Sequence, residues 1–283
     1  MSPAAPHSIV PYVKLASLFI TTVLMSWNLS VDHLQPLLNS DHLYPHVFVK
    51  DLLFGEQSIA AWKFGSATFL FPDYPIYSVL LLLWGDGGIT FPIYAVLYCI
   101  SLALAYAFLI FVYTKHSRID CLEYGFVATT LLLGLQYIPE HGFSLYWLVL
   151  PGFHGSAQIM GLLFIAYLSR QYQQEKTPSL QRSFWIVTLG TACFYSNTLF
   201  FTQFTGVWAL TLALLYKYHP RKDVIRLQWK WIGGMVSGKI FIDLALSYLN
   251  IWQHGKVFRH YPIPSEIGEC FLLFLGDFQS ELF

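Results

Sequence analysis

The side chains able to do chemistry in this chain are few, and they sit in the gaps between long apolar runs. The first gap holds Ser40-Asp41-His42-Leu43-Tyr44, then Lys50-Asp51-Leu52, Gly55 and Trp62, and it closes on Phe71-Pro72-Asp73-Tyr74-Pro75-Ile76-Tyr77. A later gap places Glu140 beside His141, with His154 further on. A carboxylate can take a proton from a hydroxyl nucleophile, or it can hold a divalent cation together with other acids and imidazoles. Asp41 is the first candidate for either task. It also precedes a helical-looking stretch, so an N-cap is the competing reading, and the two are compatible. Glu140 and His141 read by themselves as a solvated loop pair. His42 and His46 read as a surface histidine pair. Lys239 and Asp243 are four residues apart and share a helix face, as a structural ion pair or as part of a substrate pathway. Lys256, Arg259 and His260 form a late cationic cluster, suited to an anionic group or to anchoring at an interface.

These residues need apolar elements to position them. Of the 283 residues, 55% are hydrophobic and only 11% are charged. Soluble domains carry roughly 25% charged residues, so this chain has too few to cover a water-facing surface. Aromatics reach 18%, many of them Trp and Tyr near the ends of apolar runs, as in membrane interfacial belts. No basic face suited to nucleic acid stands out. The four cysteines are scattered without a C-x-x-C, which supports neither a zinc site nor a disulfide framework.

Hydropathy predicts seven spans and a C-terminal stub. The first run, Ile9 to Leu29, has about 20 residues, enough to cross roughly 30 Å of hydrocarbon. No small-residue cleavage site follows it, which predicts a retained span. Tyr74 to Trp84 is too short to cross and predicts a re-entrant or juxtamembrane helix. Further spans are expected at Thr90 to Tyr113, at Cys121 to Ile138 and over a stretch ending near Leu168. Phe184 to Tyr216 predicts a hairpin of two short helices broken at Ser196-Asn197-Thr198. Trp231 to Trp252 is the seventh span, and the stub begins at Cys270. The whole chain, 1–283, reads as one integral membrane domain, with a first loop over 30–89 and an outer loop over 254–269.

Charge sets the orientation. With the N-terminus inside, the inner loops receive Lys14, Lys115, Arg118, Arg170, Lys176, Arg182, Lys217, Arg221, Lys222, Arg226 and Lys230. The outside receives only Lys50, Lys63, Lys256 and Arg259. This is the positive-inside pattern. Asp32, Asp41, Asp51, Glu56, Asp73, Glu140, Glu266 and Glu269 fall outside, so carboxylate chemistry belongs on the outer face.

The ordered set from Asp41 to Tyr77 resembles the GT-C class of membrane glycosyltransferases, and most closely some uncharacterised bacterial multi-pass members. In that class the first outer loop opens on an acid and continues as an amphipathic helix ending in Gly. It then passes a Trp and closes on a P-x-Y element before an apolar helix. Asp41, Gly55, Trp62 and Pro75-Ile76-Tyr77 hold those positions. The closer relatives also carry F-P-D-x-P-x-Y, matched by Phe71 to Tyr77, and an acid in a later S-D-x-L-F, where this chain has Asn197. Asp73 stands where aminoarabinose and O-mannosyl transferases often place Lys.

The resemblance implies an all-α, GT-C-like N-terminal half in a bacterial inner membrane, with the first long loop periplasmic or extracellular. It implies sugar transfer from a polyprenyl-phosphate donor to an acceptor outside the cytoplasm. Asp41 would be the catalytic residue, and Tyr44, Trp62, Asp73 and Tyr77 would bind substrate; apart from the resemblance, the cations Lys256 and Arg259 are candidates to bind the lipid phosphate. A divalent metal, Mg or Mn, would sit on Asp41, Glu140 and His141. The family is usually longer, so the chain reads as a truncated or split member. The departures at Asp73 and Asn197 support a rival, a non-enzymatic transport component or assembly factor. No Walker loop, dinucleotide fingerprint, nucleophile elbow or H-E-x-x-H is present.

Overall fold

A computed structural model describes residues 9–33, 40–55, 71–85, 89–135, 137, 155–173, 178–197, 200–218 and 221–248. Among them the regular structure is entirely helical. The order is α1 (Val10–Asn28), α2 (Ser40–Phe54), α3 (Asp73–Trp84), α4 (Thr90–Tyr113), α5 (Arg118–Leu135), α6 (Gly155–Gln173), α7 (Leu180–Ser196), α8 (Val207–Tyr218) and α9 (Lys222–Tyr248). Wide π-helical turns at Leu29–His33 and Phe200–Gly206 follow α1 and precede α8.

Local sequence explains most boundaries. Asp73 opens α3, where a carboxylate meets the positive end of the helix dipole. Pro75 lies in the same first turn, where a missing N–H costs nothing. The helix stops at Gly85, whose φ of 70° suits glycine and whose N–H donates to Leu81 O. Ser117 and Asp120 open α5 as a reciprocal box, with Asp120 N–H donating to Ser117 Oγ at 3.2 Å and Ser117 N–H to Asp120 Oδ2 at 3.3 Å. Ser179 Oγ caps α7 by accepting from Arg182 N–H.

Two helices are long and apolar enough to cross a membrane among the described residues, Val10–Val31 and Thr90–Tyr113. α3 is apolar but has only 12 residues, as expected of a segment too short to cross. α5 carries Arg118, Asp120 and Glu123 in its first two turns, and α7 has 17 residues. Large apolar side chains stay exposed along the helices, among them Leu24, Leu82, Leu83, Leu131, Leu214 and Phe241. Apolar surface of this extent marks a partner or a lipid phase.

The helices pack in two groups joined where α4 meets α6. In the first, α1, α4 and α5 pack together, and α3 lies on α2 and α4. Thr22 and Thr130 share a 3.0 Å hydrogen bond across α1 and α5. Gly125 lets α5 approach α4 closely, since a Cβ there would lie 2.3 Å from Ala103 O. In the second group, the buried Gln228 on α9 joins two other helices. It accepts from Trp208 Nε1 at 3.0 Å and donates from Nε2 to Leu168 O at 3.0 Å.

Several elements differ from the hydropathy reading. The seventh apolar run is entered through helix, because α9 begins at Lys222 and includes most of the basic stretch expected to be a loop. Val224, Ile225, Gln228, Trp231, Ile232 and Met235 are buried along it, while Arg226 and Lys230 lie between them in sequence. The expected break at Ser196 is present: α7 ends there, Phe200 N–H donates to Asn197 O at 3.0 Å, and the chain resumes as the π-helical turn Phe200–Gly206.

Candidate functional site

The acid that closes the first loop is the best-placed reactive group among the described residues. Asp73 is 2% exposed. Its carboxylate accepts from Tyr94 Oη on α4 and, at 2.6 Å, from Ser156 Oγ on α6. The adjoining Phe71 N–H donates to Ser196 Oγ, the last residue of α7, at 2.6 Å. One short element therefore ties together the start of α4, the start of α6 and the end of α7. The opposite ends of α4 and α6 are joined by Tyr113 to Ser169, and Arg221 Nη1 donates to Tyr172 O nearby.

A cavity of about 300 Å³ opens beside the carboxyl. Its polar lining comes from Asp73, Tyr94, Tyr98, Ser101 and Ser156, and its apolar wall from Ile76, Leu97, Ile159 and Leu163. Ser101 Oγ is committed to Leu97 O at 2.8 Å. The Tyr98 hydroxyl is buried with no hydrogen-bond partner among the described residues, an arrangement that favours a ligand hydroxyl or a water there. Loss of solvent pushes the Asp73 carboxyl up from 3.8 to about 6, and the hydrogen bonds from Ser156 and Tyr94 act in the opposite direction. A carboxyl poised there exchanges protons near neutral pH, as a general base must.

The structure distributes the expected site residues unevenly. Asp73 is central. Tyr77 is buried one turn further along α3, with its ring edge-on to Phe91 and to Tyr94 at 5.6 and 5.7 Å. It therefore backs Tyr94 and is not among the side chains lining the cavity. Asp41 and Tyr44 fall in the first turns of α2, where only the backbone is described. That helix packs on α3 and stacks Phe48 on Tyr74 at 4.9 Å. Trp62, Glu140, His141, His154, Lys256 and Arg259 lie outside the described residues. Lys239 and Asp243 form an ion pair at 2.5 Å, with the ammonium also 5.6 Å from the centre of the Phe194 ring.

Tyr94, Ser156 and Tyr98 were not singled out from sequence. Tyr94 and Tyr98 come from the next helix, α4, and Ser156 from α6, and no local motif marks them. A divalent cation does not fit the Asp73 cavity. The described lining offers one carboxylate and no imidazole, and both carboxylate oxygens already accept hydrogen bonds. Among the described residues no group of three or more His, Cys, Asp or Glu could hold a metal. Compared with known proteins, the chain matches no family model, no curated protein and no solved structure.

Proposed function

We propose that the chain is a GT-C-like multi-pass membrane protein. In this reading it transfers a sugar from a polyprenyl-phosphate donor to a hydroxyl acceptor on the non-cytoplasmic side. The observation that carries the reading is Asp73: a buried carboxyl in the closing element of the first outer loop, beside a cavity shared with Ser156 and the unpartnered Tyr98 hydroxyl.

The remaining spans and the orientation belong to the same proposal. Two helices long enough to cross, exposed apolar faces on the others, and basic residues at the end of the bundle away from Asp73 support it. In the proposed mechanism Asp73 takes the acceptor proton, while Tyr94 and Ser156 hold the carboxylate in place. Tyr98 offers its hydroxyl to the sugar or the acceptor. Lys256 and Arg259, as late cations, would meet the donor phosphate, and Asp41 is the acid that the resemblance offers as base. No step is routed through a metal.

A second reading is favoured by one feature. Both Asp73 oxygens are already hydrogen-bonded and no cation lines the cavity among the described residues, which suits a structural pin in a non-enzymatic membrane protein. Transfer of labelled sugar from polyprenyl phosphate in proteoliposomes separates the two. The enzyme reading expects transfer by the wild type and a loss of about 100-fold in Asp73→Asn, the contribution of a general base. Asp41→Asn tests the base implied by the resemblance in the same assay. Absence of transfer by folded, inserted wild-type protein favours the pin.

A further inference from the structure

A second cavity, of about 520 Å³, lies between α4, α6 and α7. Its wall is apolar and aromatic, with Phe108 from α4, Leu163 and Phe164 from α6, and Trp185 and Leu189 from α7. Arg182, at the start of α7, is its single charged lining residue among the described residues. Cys193 lines the other end. Arg182 to Cys193 covers about 16 Å of helix at about 1.5 Å per residue. That is about half of the roughly 30 Å hydrocarbon core, the depth of one leaflet.

The charged end has further features. Tyr167 lines the groove there, and Arg170 lies three residues further along α6, on the same side of the helix. Both arginines are exposed, and neither forms an ion pair among the described residues. Trp185 is 53% exposed one turn inward, where an amphipathic ring marks the membrane interface. A groove of similar size between α1, α4 and α5, lined by Tyr12, Phe19, Ile20 and Phe126, has no charged side chain among the described residues to select an occupant.

We infer that the groove between α4, α6 and α7 is a site for an anionic phospholipid of the cytoplasmic leaflet. One acyl chain lies along α7, and the phosphate rests on Arg182 and Arg170. A planar guanidinium matches phosphate oxygens in two-point contact, and a one-leaflet groove matches a chain anchored at that depth. The inference rests on the multi-pass reading above but not on sugar transfer, because the groove's charged end lies away from Asp73.

The test is native mass spectrometry of the full chain, released from mild detergent after titration with phosphatidylglycerol or phosphatidylcholine. One phosphatidylglycerol should stay bound, in clear preference to phosphatidylcholine. Removing one cation with Arg182→Gln should weaken retention about fivefold. Leu189→Trp, at a partly exposed position on the groove wall, should displace the chain and leave the arginines intact. Equal retention of both lipids, or retention unchanged in both variants, would overturn the inference. A chain that stays in the aqueous phase without detergent would overturn the multi-pass reading itself, and the site with it.

Discussion

Replacing Asp73 with Asn keeps the size of the side chain and removes its charge. Asn Oδ1 still accepts from Tyr94 or Ser156, and its amide can donate to the other hydroxyl, so neither is stranded. What changes is proton linkage. Burial moves the wild-type carboxyl from 3.8 to about 6. Between those values the folded chain holds a proton that the unfolded chain has released, so raising the pH favours unfolding. The stabilising effect of the protonated carboxyl is complete below the unfolded value and is lost as the pH passes about 6. That interval corresponds to about 3 kcal/mol. Tryptophan fluorescence melts in nanodiscs, run from about pH 4 to about pH 7, should show Asp73→Asn gaining on the wild type by most of that amount, about 2 kcal/mol. The comparison cancels every other titrating group common to both proteins. A constant difference across the range, or a wild type that gains on the variant as the pH rises, refutes the buried-carboxyl argument.

Two other substitutions test the packing that holds the site. Gly125→Ala forces a methyl to within 2.3 Å of Ala103 O, and should cost about 1–3 kcal/mol by separating α5 from α4, read as a lowered melting temperature. Gln228→Leu strands the Trp208 indole N–H and removes the donor to Leu168 O. It should cost about 2–4 kcal/mol, and adding Trp208→Phe should restore part of the loss, which a double-mutant cycle measures.

Hydropathy located elements whose environment is uniform. Thr90 to Tyr113 is free of charges and is bounded by Gly87-Gly88 and Lys115, so the helix and the apolar run coincide. It failed where a helix is amphipathic. In the first half of α9, charged residues lower the average and suggest a loop, while Val224, Ile225, Gln228, Trp231 and Ile232 follow the spacing of one buried face. The site was legible in part. The closing motif drew attention to Asp73 through residues adjacent in the chain. Its hydroxyl partners are brought to it only by tertiary packing, since Tyr94 and Ser156 open two separate helices and carry no local signature. Tyr77 shows the converse: a recognisable motif position whose packing role behind Tyr94 emerges only from the fold.

The most direct measurement of the central claim is the pH dependence of sugar transfer in proteoliposomes from about pH 5 to about pH 8. If Asp73 is the base, the rate rises with pH through an apparent pKa near about 6 and then levels, because only the ionised carboxyl accepts a proton. That limb disappears in Asp73→Asn. A wild-type rate that is flat or falling across the interval, or a variant that keeps the rising limb, contradicts the assignment.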